Sequence, residues 1–197
     1  MRIRRLKLAG LISLLTIGGI LTTIYAQNSA LGRNTYSKAS DNCISRQDVI
    51  DAQHTWANAI VAIGNKSKDG GDFQALAEDI VDRLYGYDEG DVLFKPTQAA
   101  QVQFRLTEED ALSYFVRGVI PEDKGFALRP WSKVRFENAI ISLGCKRAEA
   151  MGNYYFTDAN TGEETKVEYA FGYRQDKDGK LLINLQHSSL PFNPTEE

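Results

Sequence analysis

Near its C-terminus the chain reads LLINLQHSSLPF, residues 181–192, which sets His187 beside Ser188 and Ser189. Such groups can bind a small polar ligand or move a proton. An imidazole titrates near pH 6.5, and a hydroxyl both donates and accepts hydrogen bonds. A Ser–His nucleophile pair also needs an orienting acid, and two residues two apart on one strand suit shared ligand binding better. Metal chemistry is short of donors. A catalytic zinc normally takes three protein ligands, and the chain has two histidines, His54 and His187, and two cysteines, Cys43 and Cys145. A three-histidine site therefore cannot be built from one copy. The DKDG run at Asp176 resembles a fragment of a calcium loop but lacks the remaining ligand positions, so a hairpin turn explains it better. No G-x-S-x-G elbow, phosphate-binding loop or dinucleotide fingerprint is present.

The elements that must hold these groups are legible in the periodicity. SRQDVIDAQHTWANAIVAIG places Val49, Ala52, Trp56, Ile60 and Ile63 on one stripe of a long helix with Ser45 as N-cap, and His54 falls off that stripe. GNKSKDGGD breaks it. FQALAEDIVDRLYG is a second helix with Phe73, Leu76, Ile80 and Leu84 inward. VLFKPT reads as a short strand interrupted by Pro96, and TEEDALSYFVRG as a short helix capped by Thr107. Residues 131–142, 146–157, 165–175 and 180–190 alternate as strands. Helices followed by an antiparallel meander predict an α+β fold in which a curved sheet wraps the long helix as a cone with a pocket at its open end.

Alternation puts Ile183, Leu185, His187 and Ser189 on one face of the last strand and Asn184, Gln186 and Ser188 on the other. In KVEYAFGYR it puts Val167, Tyr169, Phe171 and Tyr173 inward as an aromatic wall. Two readings of the last strand stay open: His187 and Ser189 face a pocket, or they satisfy each other at a strand end. In the strand from Trp131, one face holds Trp131, Ala139 and Ile141 and the other Val134, Phe136 and Ile140. Both faces are then apolar, which predicts a homodimer packed sheet against sheet.

The N-terminus has a different composition. Arg2, Arg4, Arg5 and Lys7 precede an uncharged run from Leu8 to Ala26, the order of an export signal cleaved after Ala26 or kept as a single-span anchor. Either way residues 1–26 send the domain out of the cytoplasm, to a periplasm or an equivalent lumen. A polar linker (27–44), a domain (45–193) and a short tail (194–197) make up the rest of the chain. Without residues 1–26 the chain keeps 19 basic and 26 acidic residues, a net charge of −7. That balance argues against nucleic acid, and against membrane beyond the export segment, as partners. In an oxidising compartment Cys43 and Cys145 form a disulfide or remain two unrelated buried thiols; spacing does not choose.

Six ordered motifs, LFKPT, ALSYFVRG, GFALRPWSKVRFENA, AMGNYYFTD, VEYAFGYR and LQHSSLPF, resemble the iota-class carbonic anhydrases. That family is built on the association domain of calcium/calmodulin-dependent kinase II within the NTF2-like superfamily. The resemblance covers roughly residues 45–192. It implies reversible hydration of carbon dioxide, an NTF2-like cone and a homodimer. It also implies a pocket made by Thr97 of FKPT, Tyr114 of LSYF, and His187 and Ser189 of HSS; Tyr169 and Tyr173, from the aromatic wall that alternation gives, are expected to line its substrate side. Some members carry a run of histidines before the two serines, where this chain has Gln186 and one histidine. The expectation is therefore a site without metal or other cofactor, acting on carbon dioxide and bicarbonate. The same fold also serves as a non-enzymatic ligand-binding or oligomerisation module, and a hydration assay separates the two.

Overall fold

The computed structural model describes residues 43–194. The expected export signal, nearly all of the linker and the last three residues lie outside that range. Helix α1 spans Arg46–Lys68. Its start is fixed by a capping box: Ser45 Oγ accepts the Asp48 N–H at 3.2 Å, and the Asp48 carboxylate accepts the Ser45 N–H at 2.8 Å. The helix continues past Gly64, the expected end. A Cβ at that position would lie 2.9 Å from the Ala127 carbonyl oxygen and 3.0 Å from that of Arg129, so Gly64 lets a 3₁₀ turn (Phe126–Leu128) press against α1. Helix α2 (Phe73–Leu84) is capped by Asp72, and α3 (Glu108–Val116) by Thr107.

Five strands form one sheet in the order β1-β5-β4-β3-β2. They are β1 (Leu93–Lys95), β2 (Trp131–Leu143), β3 (Arg147–Asp158), β4 (Glu164–Gln175) and β5 (Leu181–Ser189). Strands β2 to β5 form the expected antiparallel meander, whereas β1 runs parallel to β5. Pro96, which has no N–H to give to a ladder, follows the last residue of β1.

The sheet curves around α1. Trp56 fills the middle of the core, with ring centroids 5.6 Å from Phe171, 5.8 Å from Tyr154 and 5.9 Å from Phe136. Ile44, the last residue expected in the linker, is buried, and its N–H donates to the Cys145 carbonyl at 3.0 Å. Cys43 and Cys145 are joined as a disulfide that links the entry to α1 with the β2–β3 turn.

Register shifts alter which side chains face α1. Strand β2 carries two, between Trp131 and Lys133 and between Asn138 and Ile140. Each adds a residue and inverts the alternation beyond it. Trp131, Val134, Phe136 and Ile141 consequently all pack against the core, while Ala139 and Ile140 face out. This corrects the expected division of β2 into two apolar faces. Gly152 pairs opposite the second shift, where a Cβ would overlap the Glu137 carbonyl oxygen. A third shift lies between β4 and β5: Gly172 pairs with Leu185 and Tyr173 with Ile183, which leaves Asn184 as the extra residue.

Candidate active site

The third shift decides the chemistry of the last strand. Before Asn184, Ile183 is buried. Beyond it the inward residues are Gln186 and Ser188, and His187 is exposed. His187 and Ser189 thus lie on the outer face of the sheet, against the expected inward row. There they border a depression of about 350 Å³ with Glu168 and Asn153. Ser189 Oγ donates to Glu168 Oε2 at 3.2 Å.

Inside the cone, hydroxyl groups converge. Strand β3 alternates Ala148, Ala150, Tyr154 and Phe156 toward the core. The Tyr154 hydroxyl shares a hydrogen bond with Ser188 Oγ and faces the Gln186 and Thr97 side chains. Thr97 is half-buried just beyond β1. Behind these groups Gln186 Oε1 accepts from the Tyr85 hydroxyl, which in turn accepts from Trp56 Nε1 at 2.8 Å. Lys95 Nζ donates to the Ser188 carbonyl at 3.3 Å and so ties β1 to this end of β5.

Tyr114 approaches from α3 and is 5% exposed. Its ring stacks on Phe126 at 5.4 Å and meets Phe94 edge-on at 5.9 Å. Its hydroxyl faces the Gln98 backbone. The same ring borders a cleft of about 440 Å³ whose walls include Gln98, Glu122, Asp123, Phe126 and Arg129. Tyr114 thus stands between the solvent-reaching cleft and the aromatic interior.

Burial sets the protonation of this cluster. It pushes the Tyr154 hydroxyl up to about 12, against the opposing pull of hydrogen bonds from Ser188, Gln186 and Thr97. Burial pushes Tyr114 higher still. Both phenols are therefore neutral hydrogen-bond donors at neutral pH.

The other expected wall residues have different surroundings. The Tyr169 hydroxyl donates to Asn138 Oδ1 at 2.7 Å, and Asn138 and Gln53 exchange amide hydrogen bonds at 2.8 and 2.9 Å. Tyr173 is buried on the same inner row, with the Gln53 side chain near its hydroxyl. Of the expected site residues, then, the structure brings Thr97 and Tyr114 to the hydroxyl cluster and places His187 and Ser189 on the opposite face. Tyr154, Ser188 and Gln186 complete the cluster. Alternation along AMGNYYFTD marks Tyr154 as inward, but no residue type announces the extra position at Asn184 that turns Ser188 inward.

Among the described residues, no three His, Cys, Asp or Glu side chains gather closely enough to hold a metal ion. Nor is any helix among them long and apolar enough to cross a membrane. The arrangement offers several oriented O–H donors with aromatic rings around them, the environment in which developing negative charge on a small substrate is stabilised most effectively.

Residues 47–190 match the family described as metal-independent carbonic anhydrase. A metal-independent carbonic anhydrase from Nostoc sp. (strain PCC 7120) is 43% identical over 157 residues, 77% of this chain and 76% of the relative. The crystal structure of a cyanobacterial iota-carbonic anhydrase complexed with bicarbonate is 42% identical, with a TM-score of 0.74, and covers 77% of this chain and 95% of that one. A putative calcium/calmodulin-dependent protein kinase type II association domain from Thiobacillus denitrificans shares the fold at 11% identity, with a TM-score of 0.51 over 72% of this chain and 93% of its own.

Proposed function

The chain belongs to the metal-independent carbonic anhydrases, and from that premise we propose that it catalyses the reversible hydration of carbon dioxide to bicarbonate at the cluster of Thr97, Tyr114, Tyr154 and Ser188. The convergence of these four hydroxyl-bearing side chains on one aromatic-walled region carries the assignment. The bicarbonate held by the cyanobacterial relative supports it.

Carbon dioxide is apolar and partitions to the rings of Phe94, Phe115, Phe126 and Phe156, which pack against one another and against Tyr114 or Tyr154. Attack of water on the carbon places negative charge on the oxygens of the forming bicarbonate and releases one proton. The neutral Tyr114 and Tyr154 phenols, with Thr97 and Ser188, donate hydrogen bonds to that charge and need little reorganisation at the moment of reaction. The proton leaves by the cleft beside Tyr114, where water has access. The proposed step does not use His187, which stands on the other face of the sheet.

A stopped-flow assay of carbon dioxide hydration on exhaustively chelated protein tests the reading, and undiminished activity is expected. Activity that disappears with chelation and returns with zinc or manganese would overturn the metal-free mechanism. No hydration under any condition would leave a ligand-binding or assembly domain.

Assembly and export belong to the same proposal. The outer sheet face exposes Ile140 (56%) and Met151 (52%), and two copies pair through it. Sedimentation at micromolar concentration should give a dimer, and Ile140→Asp should give monomers. Residues 1–26 act as an export signal. The basic-then-apolar order and the Cys43–Cys145 disulfide support that route.

A further inference from the structure

Against the Tyr114 ring lies a buried ion pair that takes no direct part in the hydration step. Arg105 Nη2 donates to Asp123 Oδ1 at 2.7 Å, and both side chains are 0% exposed. Ser113 Oγ donates to Asp123 Oδ2 at 2.7 Å and accepts the Ile120 N–H at 3.0 Å. The Arg105 guanidinium carbon is 5.9 Å from the centroid of the Tyr114 ring, and its Nε and Nη1 are buried without hydrogen-bond partners among the described residues. Burial raises the Asp123 carboxyl above its ordinary value, against the pull of Ser113 and Arg105.

Stability alone gives a fold little reason to keep such a pair. Two charges are taken out of water, and two donors stay unmatched. Its placement gives a reason. Arg105 precedes α3, where its N–H donates to the Phe94 carbonyl at 2.8 Å, and Asp123 lies in the loop that leaves α3. The pair therefore fastens together the two segments flanking the helix that carries Tyr114. The loop it fastens is strained. Arg117 ends α3 with φ 69° and ψ 152°, backbone angles that glycine alone adopts readily. Asp123 also forms part of the cleft wall together with Tyr114.

We propose that the Arg105–Asp123 pair, braced by Ser113, is a positioning device for Tyr114: it locks the phenol between cleft and interior and keeps a fixed cation close to its ring. Held in that place, the hydroxyl meets the charge as it grows on the forming bicarbonate. This rests on Tyr114 being a bicarbonate donor.

The test is a double-mutant cycle on the full chain. Arg105→Met with Asp123→Leu replaces the pair by apolar groups, an exchange that proteins often tolerate without loss of stability. The melting temperature should hold, kcat for hydration should fall on the order of 10²-fold, and KM should move little. In a Tyr114→Phe background the same exchange should lower kcat no further, because the pair acts through that hydroxyl. Wild-type kcat in the folded double variant overturns the proposal, as does an equal fractional loss with and without the Tyr114 hydroxyl. Should the double variant fail to fold, Ser113→Ala decides. A fall in kcat that vanishes in the Tyr114→Phe background supports the device, and an unchanged kcat overturns it. A Tyr114→Phe enzyme with the wild-type rate sinks the donor role of Tyr114 and the device together. An impaired Tyr114→Phe enzyme beside an unimpaired pair variant sinks the device alone.

Discussion

Two polar clusters lie within the same curved sheet and are built in different ways. In the first, Gln53 and Asn138 exchange amide hydrogen bonds and Tyr169 adds a third, so the groups are satisfied by one another. In the second, Thr97, Tyr114, Tyr154 and Ser188 present single hydroxyls, and Tyr114 opens to a cleft. An amide pair closed on itself fixes where α1 lies against β2 and has little left to offer a ligand. In the hydroxyl set the Tyr154 oxygen is shared among Ser188, Gln186 and Thr97, but each hydroxyl can rotate and can both donate and accept, so a ligand can exchange for a partner. Burial alone does not mark a polar group as functional. What distinguishes the second cluster is a set of rotatable hydroxyls, one of them beside a cleft.

Substitutions that spare one cluster while damaging the other sharpen this contrast. The largest effect belongs to the hydroxyls. Ser188→Ala and Tyr154→Phe should each lower the hydration rate by about 10²–10³ with the fold intact; full activity in both would erase the distinction. Titration comes next, and it reaches both clusters. Tyr154 and Tyr169 are each pushed up to about 12 by burial, whereas an unfolded tyrosine ionises near 10. Between those values the unfolded chain holds fewer protons and is favoured. Stability should be complete below about pH 10 and fall through about pH 12, by roughly 1.4 kcal/mol per pH unit for each such tyrosine. Denaturant melts across that range would show it, and a flat profile would contradict the burial of these rings.

A smaller effect is expected at the amide cluster. Asn138→Ala leaves Gln53 and Tyr169 without their partner and should cost about 1–3 kcal/mol, with an unchanged hydration rate per folded molecule. A collapse in rate at full stability would mean that this cluster also touches the reaction. The smallest effects belong to the outer face. His187→Ala and Ser189→Ala should change stability by about 0.5 kcal/mol or less and leave the hydration rate alone. A large loss of rate in either would return the chemistry to the face that plain alternation favours.

The contrast also shows which parts of the molecule could be read from residue order. The stripe Val49, Trp56, Ile60 and Ile63 recurs at helical spacing, and all four are buried. The row Val167, Tyr169, Phe171 and Tyr173 alternates without interruption, and all four face inward. Regular backbone transmits a pattern faithfully. Strands β2 and β5 are not regular, and one extra residue at Asn184 exchanges the faces of everything after it. Plain alternation along HSS therefore turns His187 and Ser189 inward, whereas the shifted strand turns Ser188 inward. The Arg105–Asp123 pair is illegible for another reason. It joins two loops 18 residues apart, and nothing in the local order of either loop requires the other.

The bond between Cys43 and Cys145 bears on how the protein is made. The two positions are 102 residues apart. At a synthesis speed of about 5–20 residues per second, the first thiol waits about 5–20 s for the second to emerge. With no other cysteine in the sequence, the chain has one internal pairing and no scrambled isomer. The wrong disulfide open to that waiting thiol is a link to another molecule. Misassembly of this protein should therefore leave a ladder of cross-linked species on a non-reducing gel, and never a misfolded monomer with the wrong internal bridge.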